Sequence, residues 1–308
     1  MAINCGKIIL NNGKSMPKFG LGTWLSEPGQ VKTAVESAID AGYRHIDCAF
    51  FYNNEHEVGE AILNKISEGV VKREDLFVTS KLWNTFHKPE NVEKGLNLSL
   101  KDLKLDYVDL YLMHWPTGFE YPGDGNERDL FPGGPASVKM DQETGYVNCW
   151  KKFEEIYKKG EKVKAIGVSN FNLFQMNNLL KCCEIVPMMQ QVELHGYENM
   201  KEMVDFCHQN KIQVTGYSPL GNPGRPDYAK IGQDVLMEDP IVKEIAEKHQ
   251  KSAAQIQKIK SKKNIILTMA CFYCFYFFLT HKMGDPTRHC LHSEECHTIK
   301  NYLELRNF

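Results

Sequence analysis

Four side chains of unlike chemistry, Asp47, Tyr52, Lys81 and His114, lie within 68 positions of one another. A phenol is a poor acid near neutral pH, with a reference pKa of about 10. An ammonium group beside it stabilises the phenolate and lowers that value. A carboxylate can hold the ammonium in place. An imidazole can orient a carbonyl oxygen between itself and the phenol. Such a set suits proton donation to an oxyanion as a hydride reaches carbon. Each member alone also has an ordinary use: Asp47 as a cap, Lys81 on the surface, His114 as a bonded core histidine, Tyr52 as a packed aromatic. Their meaning depends on whether the chain brings them to one place.

The elements that must do so can be read from periodicity. An opening β-hairpin is expected over Lys7–Met16, where "KIIL" precedes "NNGKSM" and Asn12-Gly13 forms a turn pair. Short apolar runs follow, with strands expected at Phe19–Gly22, His45–Asp47, Leu76–Ser80, Tyr107–Met113, Ala165–Val168, Met188–Val192 and Gln213–Tyr217. Helices are expected between them at Gln30–Ala41, Val58–Ser67, Val92–Leu103, Trp150–Lys159, Leu173–Leu180, Lys201–Gln209 and Ile241–His249. Parallel strands need crossover helices, so this alternation implies a parallel sheet. With Ile265–Thr268 as an eighth strand, the pattern fits an α/β fold of the (β/α)8 TIM-barrel type. A doubly wound open sheet is the alternative, weakened because no G-x-G-x-x-G follows the first strand. The long connection Thr117–Asn148 contains "FPGGP", which excludes helix there.

In such a barrel, chemistry sits beyond the C-terminal ends of the strands. The second strand ends at Asp47, with Tyr52 just after it. Lys81 follows the third and His114 the fourth. Ser169-Asn170, Gln191 and Tyr217-Ser218 close the next three. The four reactive groups therefore converge on one rim.

With 42% hydrophobic and 25% charged residues and a net charge of −2, the chain has ordinary globular composition and no nucleic-acid surface. The basic run Lys258–Lys263 is short and reads as a solvated helix end. Met1–Leu10 lacks the pattern of a secretory leader. The ten cysteines, including adjacent Cys182-Cys183, read as reduced thiols and imply a cytoplasmic protein. Ile265–Leu279 is an uncharged run of fifteen residues. It is shorter than the ~20 needed for a spanning helix and rich in strand-forming side chains. A membrane association is therefore not expected. The Cys271-x-x-Cys274 pair with His289–His297 has a loose zinc-like composition, but its irregular spacing favours incidental thiols, so no metal is expected.

"GYRHIDCAFFYNNEHEVGEAI" at Gly42–Ile62, "TSKLW" at Thr79–Trp83, "DLYLMHWP" at Asp109–Pro116, "KAIGVSNFN" at Lys164–Asn172 and "GYSPLG" at Gly216–Gly221 resemble the aldo-keto reductases, most closely the aldose-reductase-type members. The resemblance runs from about Lys7 to Gln255. It implies NADPH-dependent reduction of aldehydes and ketones by a monomer, with a small-molecule carbonyl as substrate. It makes Tyr52 the acid, tuned by Lys81 and Asp47, with His114 orienting the carbonyl. It assigns the cofactor to Thr23, Trp24, Ser169, Asn170, Gln191, Tyr217, Ser218 and Leu220. It lines an aromatic pocket with Trp24, Phe51, Trp83, Trp115 and Phe119.

The likeness stops near the C-terminus. Met269-Ala270-Cys271 stands where the family has a "PKS"-like segment holding the adenosine 2′-phosphate, and Gly224 replaces the acidic residue of the loop latch. "AAQIQKIKSKK" lacks the apolar face of a packed barrel helix. The expected organisation is a barrel over 1–268 and a divergent tail over 269–308. Forgoing one charge-assisted hydrogen bond to a phosphate would cost about 1.5–3 kcal/mol. The alternative function is therefore a weakly active or inactive barrel that serves as a binding module.

Overall fold

Lys7–Ile9 (β1) and Ser15–Pro17 (β2) pair antiparallel around the Asn12-Gly13 turn, where Gly13 takes φ +83°. Asn12 Nδ2 donates to Lys164 O, Asn11 Nδ2 to Pro187 O, and Gln213 Nε2 to Ile9 O. Those partners lie just before or at the start of three barrel strands. The hairpin therefore closes the barrel's N-terminal end, with Leu10 and Met16 buried beneath it. The computed structural model describes residues 6–26, 28–221, 236–260 and 265–270, with backbone only for 257–260 and 265–270.

Eight parallel strands form a closed barrel: Phe19–Gly22 (β3), His45–Asp47 (β4), Phe77–Leu82 (β5), Leu110–Met113 (β6), Ile166–Ser169 (β7), Met189–Glu193 (β8), Gln213–Tyr217 (β9) and Ile265–Ala270 (β10). The helices between them are Val31–Asp40 (α1), Glu55–Ser67 (α2), Pro89–Leu103 (α3), Gly145–Lys159 (α4), Leu173–Cys182 (α5), Lys201–Gln209 (α6), Pro240–Lys248 (α7) and Ala253–Lys260 (α8). Closure rules out the open doubly wound sheet. β10 pairs with β9 on one side and β3 on the other.

The local reasons are legible. The apolar stripe Val31, Ala34, Val35, Ala38 and Ile39 turns α1 onto the sheet, and Gly42 at φ +97° follows its end. Asp239 caps α7 by accepting from Ile241 N and Val242 N, with Pro240 in the first turn. Gly59 lets α2 approach α3: a Cβ there would lie 2.4 Å from Leu103 O.

Several boundaries differ from the sequence expectations. β5 runs to Leu82, because Lys81 and Leu82 pair with Leu112 and Met113; Lys81 thus lies within the strand rather than after it. The long connection ends at Thr144, because Asp141 Oδ1 accepts from the amides of Glu143 and Thr144 and starts α4 earlier. α8 forms despite its weak apolar pattern, helped by a reciprocal cap in which Ser252 N donates to Gln255 Oε1 and Gln255 N to Ser252 Oγ. β10 continues two residues past Thr268, with Met269 opposite Leu21 and Ala270 opposite Gly22. The start of the apolar run Ile265–Leu279 is thus a strand paired on both edges. Among the described residues, no helix is long and apolar enough to cross a membrane, and no cluster of side chains could hold a metal. Gly224, the Cys271-x-x-Cys274 pair and the tail from residue 271 lie outside the described residues.

Candidate active site

Lys81 is the hub of the rim. Its side chain is wholly buried. Its Nζ donates to Asp47 Oδ1, to Cys48 O at 2.9 Å and to Tyr52 Oη at 3.1 Å. An ammonium has three protons, so every donor is used. Burial alone would lower the Lys81 pKa, but the Asp47 carboxylate and then the Tyr52 phenol outweigh it, and the net shift is upward. The lysine is therefore a fixed cation across the physiological range.

Asp47 ends β4 and is held from several sides. Gln191 Nε2 donates to its Oδ2 at 2.8 Å. Its backbone carbonyl accepts from Thr23 N at 3.0 Å and Thr23 Oγ1 at 3.2 Å. Tyr52 closes a short 3-10 turn, Phe50–Tyr52, and Asn53 at φ 56° then redirects the chain into α2. Burial pushes the Tyr52 pKa up to about 12, against the downward pull of Lys81. The sequence-level expectation of a lowered phenol pKa is thus corrected, because desolvation is the larger effect. The proton stays on the oxygen at neutral pH, and a cation waits beside it.

His114 follows β6 and sits edge-on to Tyr52, with ring centroids 5.8 Å apart. Burial, then the Lys81 charge, holds its pKa well below the usual histidine range. The ring is therefore neutral and offers a hydrogen bond rather than a charge. Its Nδ1 is buried without a hydrogen-bond partner among the described residues.

The β7–β9 side of the rim is a hydrogen-bonded chain. Ser169 Oγ donates to Gln191 O at 2.9 Å. Asn170 Nδ2 donates to His114 O at 2.9 Å, and Tyr217 Oη donates to Asn170 Oδ1 at 2.9 Å. Asn170 and Ser218 take the left-handed backbone at φ 61° and 48°, a strained state for residues with side chains. Ser218 Oγ is buried with no hydrogen-bond partner among the described residues. A ligand oxygen could satisfy it. Leu220 is buried beside it, and Pro219 bridges to Gly221. The Gln191 amide fixed on Asp47 and the orphan hydroxyl beyond Tyr217 are polar groups that a bound ligand could use.

Opposite lies an aromatic wall. Phe51 and Trp83 stack with centroids 4.1 Å apart, and Phe119 meets Trp83 edge-on at 5.9 Å. Trp24 lies tilted beside Tyr52, with ring centroids 6.5 Å apart. Trp115 lies outside this cluster and is 42% exposed. The sequence reading missed Phe131, which contacts Phe51, Trp83 and Phe119. "FPGGP" signalled only a loop; an aromatic flanked by turn residues was the available clue. Trp83 Nε1 donates to Leu130 O at 2.8 Å and pins that loop. Arg128 also went unnoticed. It pairs with Asp102 on α3 and lies 4.1 Å over the Phe50 ring.

The aldo/keto reductase family model matches residues 18–271. The chain is 49% identical to aldo-keto reductase family 1 member A1 of Gallus gallus, over 83% of this chain and 76% of that protein. The Homo sapiens protein of the same name is 47% identical, over the same shares. The aldose reductase of Schistosoma japonicum superposes with a TM-score of 0.79 at 37% identity, covering 96% of this chain and 92% of that one. The chain belongs to the aldo/keto reductase family and is a nicotinamide-dependent oxidoreductase that reduces carbonyl compounds to alcohols.

Proposed function

We propose that Tyr52 is the proton donor of an NADPH-dependent aldehyde and ketone reductase, with Asp47, Lys81 and His114 completing its catalytic set. The observation that carries this reading is the Lys81 ammonium, whose three donors are divided among Asp47, Cys48 O and Tyr52. When bound, the reduced nicotinamide supplies a hydride to the carbonyl carbon. The carbonyl oxygen then gathers negative charge between Tyr52 Oη and the neutral His114 ring. Tyr52 gives up its proton to that oxygen. The phenolate left behind faces a cation already in place, so no charge needs to move at that moment. Asp47 keeps Lys81 oriented, and Gln191 keeps Asp47 oriented.

Ser169, Asn170 and Gln191 would hold the nicotinamide amide. Tyr217 would stack on its ring. Ser218 and Leu220 would face the pyrophosphate, with Thr23 and Trp24 at the opposite side. Both Thr23 donors are taken up by Asp47 O, so Thr23 would act mainly by shape. Phe51, Trp83, Phe119 and Phe131 favour a flat apolar carbonyl substrate, with Trp24 and Trp115 at the entrance. The preference for NADPH over NADH rests on the likeness to aldose-reductase-type members. The barrel, which runs through Ala270 of β10, would act as one monomeric catalytic unit, with the residues after it as an addition. Free thiols at Cys48, Cys149, Cys182, Cys183 and Cys207 support a reducing, cytoplasmic setting. Protein-fluorescence titration with NADPH and with NADH tests the cofactor. Micromolar NADPH binding supports the reading, and no binding at millimolar concentration overturns it.

A further inference from the structure

Behind Tyr52 lies a buried carboxyl that the proton-transfer scheme leaves unused. Glu55 is the first residue of α2, three positions after Tyr52, and is 1% exposed. Its Oε1 accepts from Ser80 Oγ at 2.5 Å. Ser80 immediately precedes Lys81 on β5. Successive strand residues point to opposite faces, so Ser80 turns toward the helices while Lys81 turns into the barrel. Ser80 Oγ also lies 3.4 Å from Ser99 Oγ on α3.

The turn 52–55 is therefore tied to two adjacent residues of one strand from opposite sides. Inside, Lys81 Nζ meets Tyr52 Oη at 3.1 Å. Outside, Ser80 Oγ meets Glu55. Between the two ties, Asn53 takes a left-handed conformation, and Asn54 Nδ2 donates to Thr23 O at 2.8 Å. We infer that Glu55 is a positioning residue for Tyr52: its bond to Ser80 fixes the turn against β5 in the register that brings the phenol to Lys81. This rests on Tyr52 being the proton donor.

A carboxyl is an expensive choice for this place. Glu55 Oε2 is buried without a hydrogen-bond partner among the described residues, and burial pushes the group up to about 7 even with Ser80 and Ser99 pulling it down. The groups facing it are Ser80 from β5, Ser99 and Asp102 from α3, Arg128 from the long connection, Cys48 after β4 and Tyr111 from β6. Asp102 and Arg128 neutralise one another. A residue serving only to fill space would more cheaply be apolar.

The test is steady-state aldehyde reduction by Glu55→Ala, Ser80→Ala and Glu55→Gln proteins, with NADPH affinity read separately by fluorescence. Glu55→Ala is expected to lower kcat by about tenfold or more, with NADPH affinity changed less than about twofold and the alkaline limb of the kcat–pH profile displaced. Glu55→Gln keeps the acceptor and should recover kcat to within about threefold of the parent. Ser80→Ala removes the donor with a small change in volume and should lower kcat in the same direction as Glu55→Ala. It serves as the probe if Glu55→Ala does not fold. Loss of melting temperature with kcat and pH profile unchanged in Ser80→Ala or Glu55→Ala overturns the inference, as does a Gln protein no better than Ala. Tyr52→Phe in the same assay keeps the two ideas apart. An active Tyr52→Phe protein removes the donor assignment; an inactive one beside a fully active Glu55→Ala protein removes only this inference.

Discussion

The strand ends and the long loop at the barrel mouth are held in different ways. On the β4–β5 side, Lys81, Asp47 and Tyr52 sit on or next to strands, and every Lys81 donor has a partner. Over these strand ends, Phe131 reaches the pocket from a long irregular connection tied down by Leu130 O on Trp83 and by Arg128 on Asp102 and Phe50. Proton transfer tolerates little misplacement, and strands supply that rigidity. Recognition of differently shaped carbonyls is better served by a loop whose few ties can change independently.

If that division is right, substitutions on the strand side should act on kcat and those on the loop side on KM. The largest effect is expected for Tyr52→Phe, which should lower kcat by about 10²–10⁴, the usual worth of a general acid, with KM little changed. A KM effect alone would break the contrast. Next, Lys81→Met leaves Asp47 buried without its cation and should cost about 3–5 kcal/mol of stability by denaturant titration, with activity lost in parallel. Because the folded pKa of Lys81 is raised, its contribution is complete below the unfolded value and fades only as pH rises through the folded one. The deficit should therefore be constant from pH 6 to 9.

Glu55 titrates in the same direction but in a lower window. Its folded pKa, about 7, exceeds the reference value of 4.5. The folded state holds the proton longer than the unfolded chain, so stability falls as pH rises across that window. Glu55→Gln should abolish this fall, gaining on the order of 3 kcal/mol relative to the parent at pH 8 and close to nothing at pH 4. Equal melting-temperature differences at both pH values would contradict it. Phe131→Ala should raise KM for aromatic aldehydes by about tenfold through loss of its ring contacts, with kcat for a small aliphatic aldehyde preserved. The smallest change is expected for Arg128→Ala. Its partly exposed ion pair is worth little by itself, so KM should rise only about two- to threefold, while a drop in kcat would mean that the loop and the proton donor are coupled.

The fold was legible because each apolar run ends in a polar residue at the same rim, and the helices between show one-sided apolar stripes. The tetrad was legible for the same reason: Asp47, Tyr52, Lys81 and His114 lie at or just beyond the C-terminal ends of three successive strands. What the residues could not reveal was the balance of forces around them. That Tyr52 rises rather than falls depends on how completely its surroundings exclude water. Phe131 and Arg128 act through the path of a loop with no period to read. Glu55 resembles any first-turn helix acid until Ser80 is seen beneath it. The apolar face of α8 is a poor guide to its presence, because its start is also set by the Ser252–Gln255 cap.

β10 supplies the last staves of the barrel, hydrogen-bonding on one edge to β9 and on the other to β3, near the opposite end of the described chain. A nascent polypeptide can therefore assemble every earlier unit and still carry two raw sheet margins until Ile265–Ala270 leaves the ribosome. Such margins recruit other chains as readily as their own. Closure of the barrel thus waits on that strand, which joins its first and seventh staves.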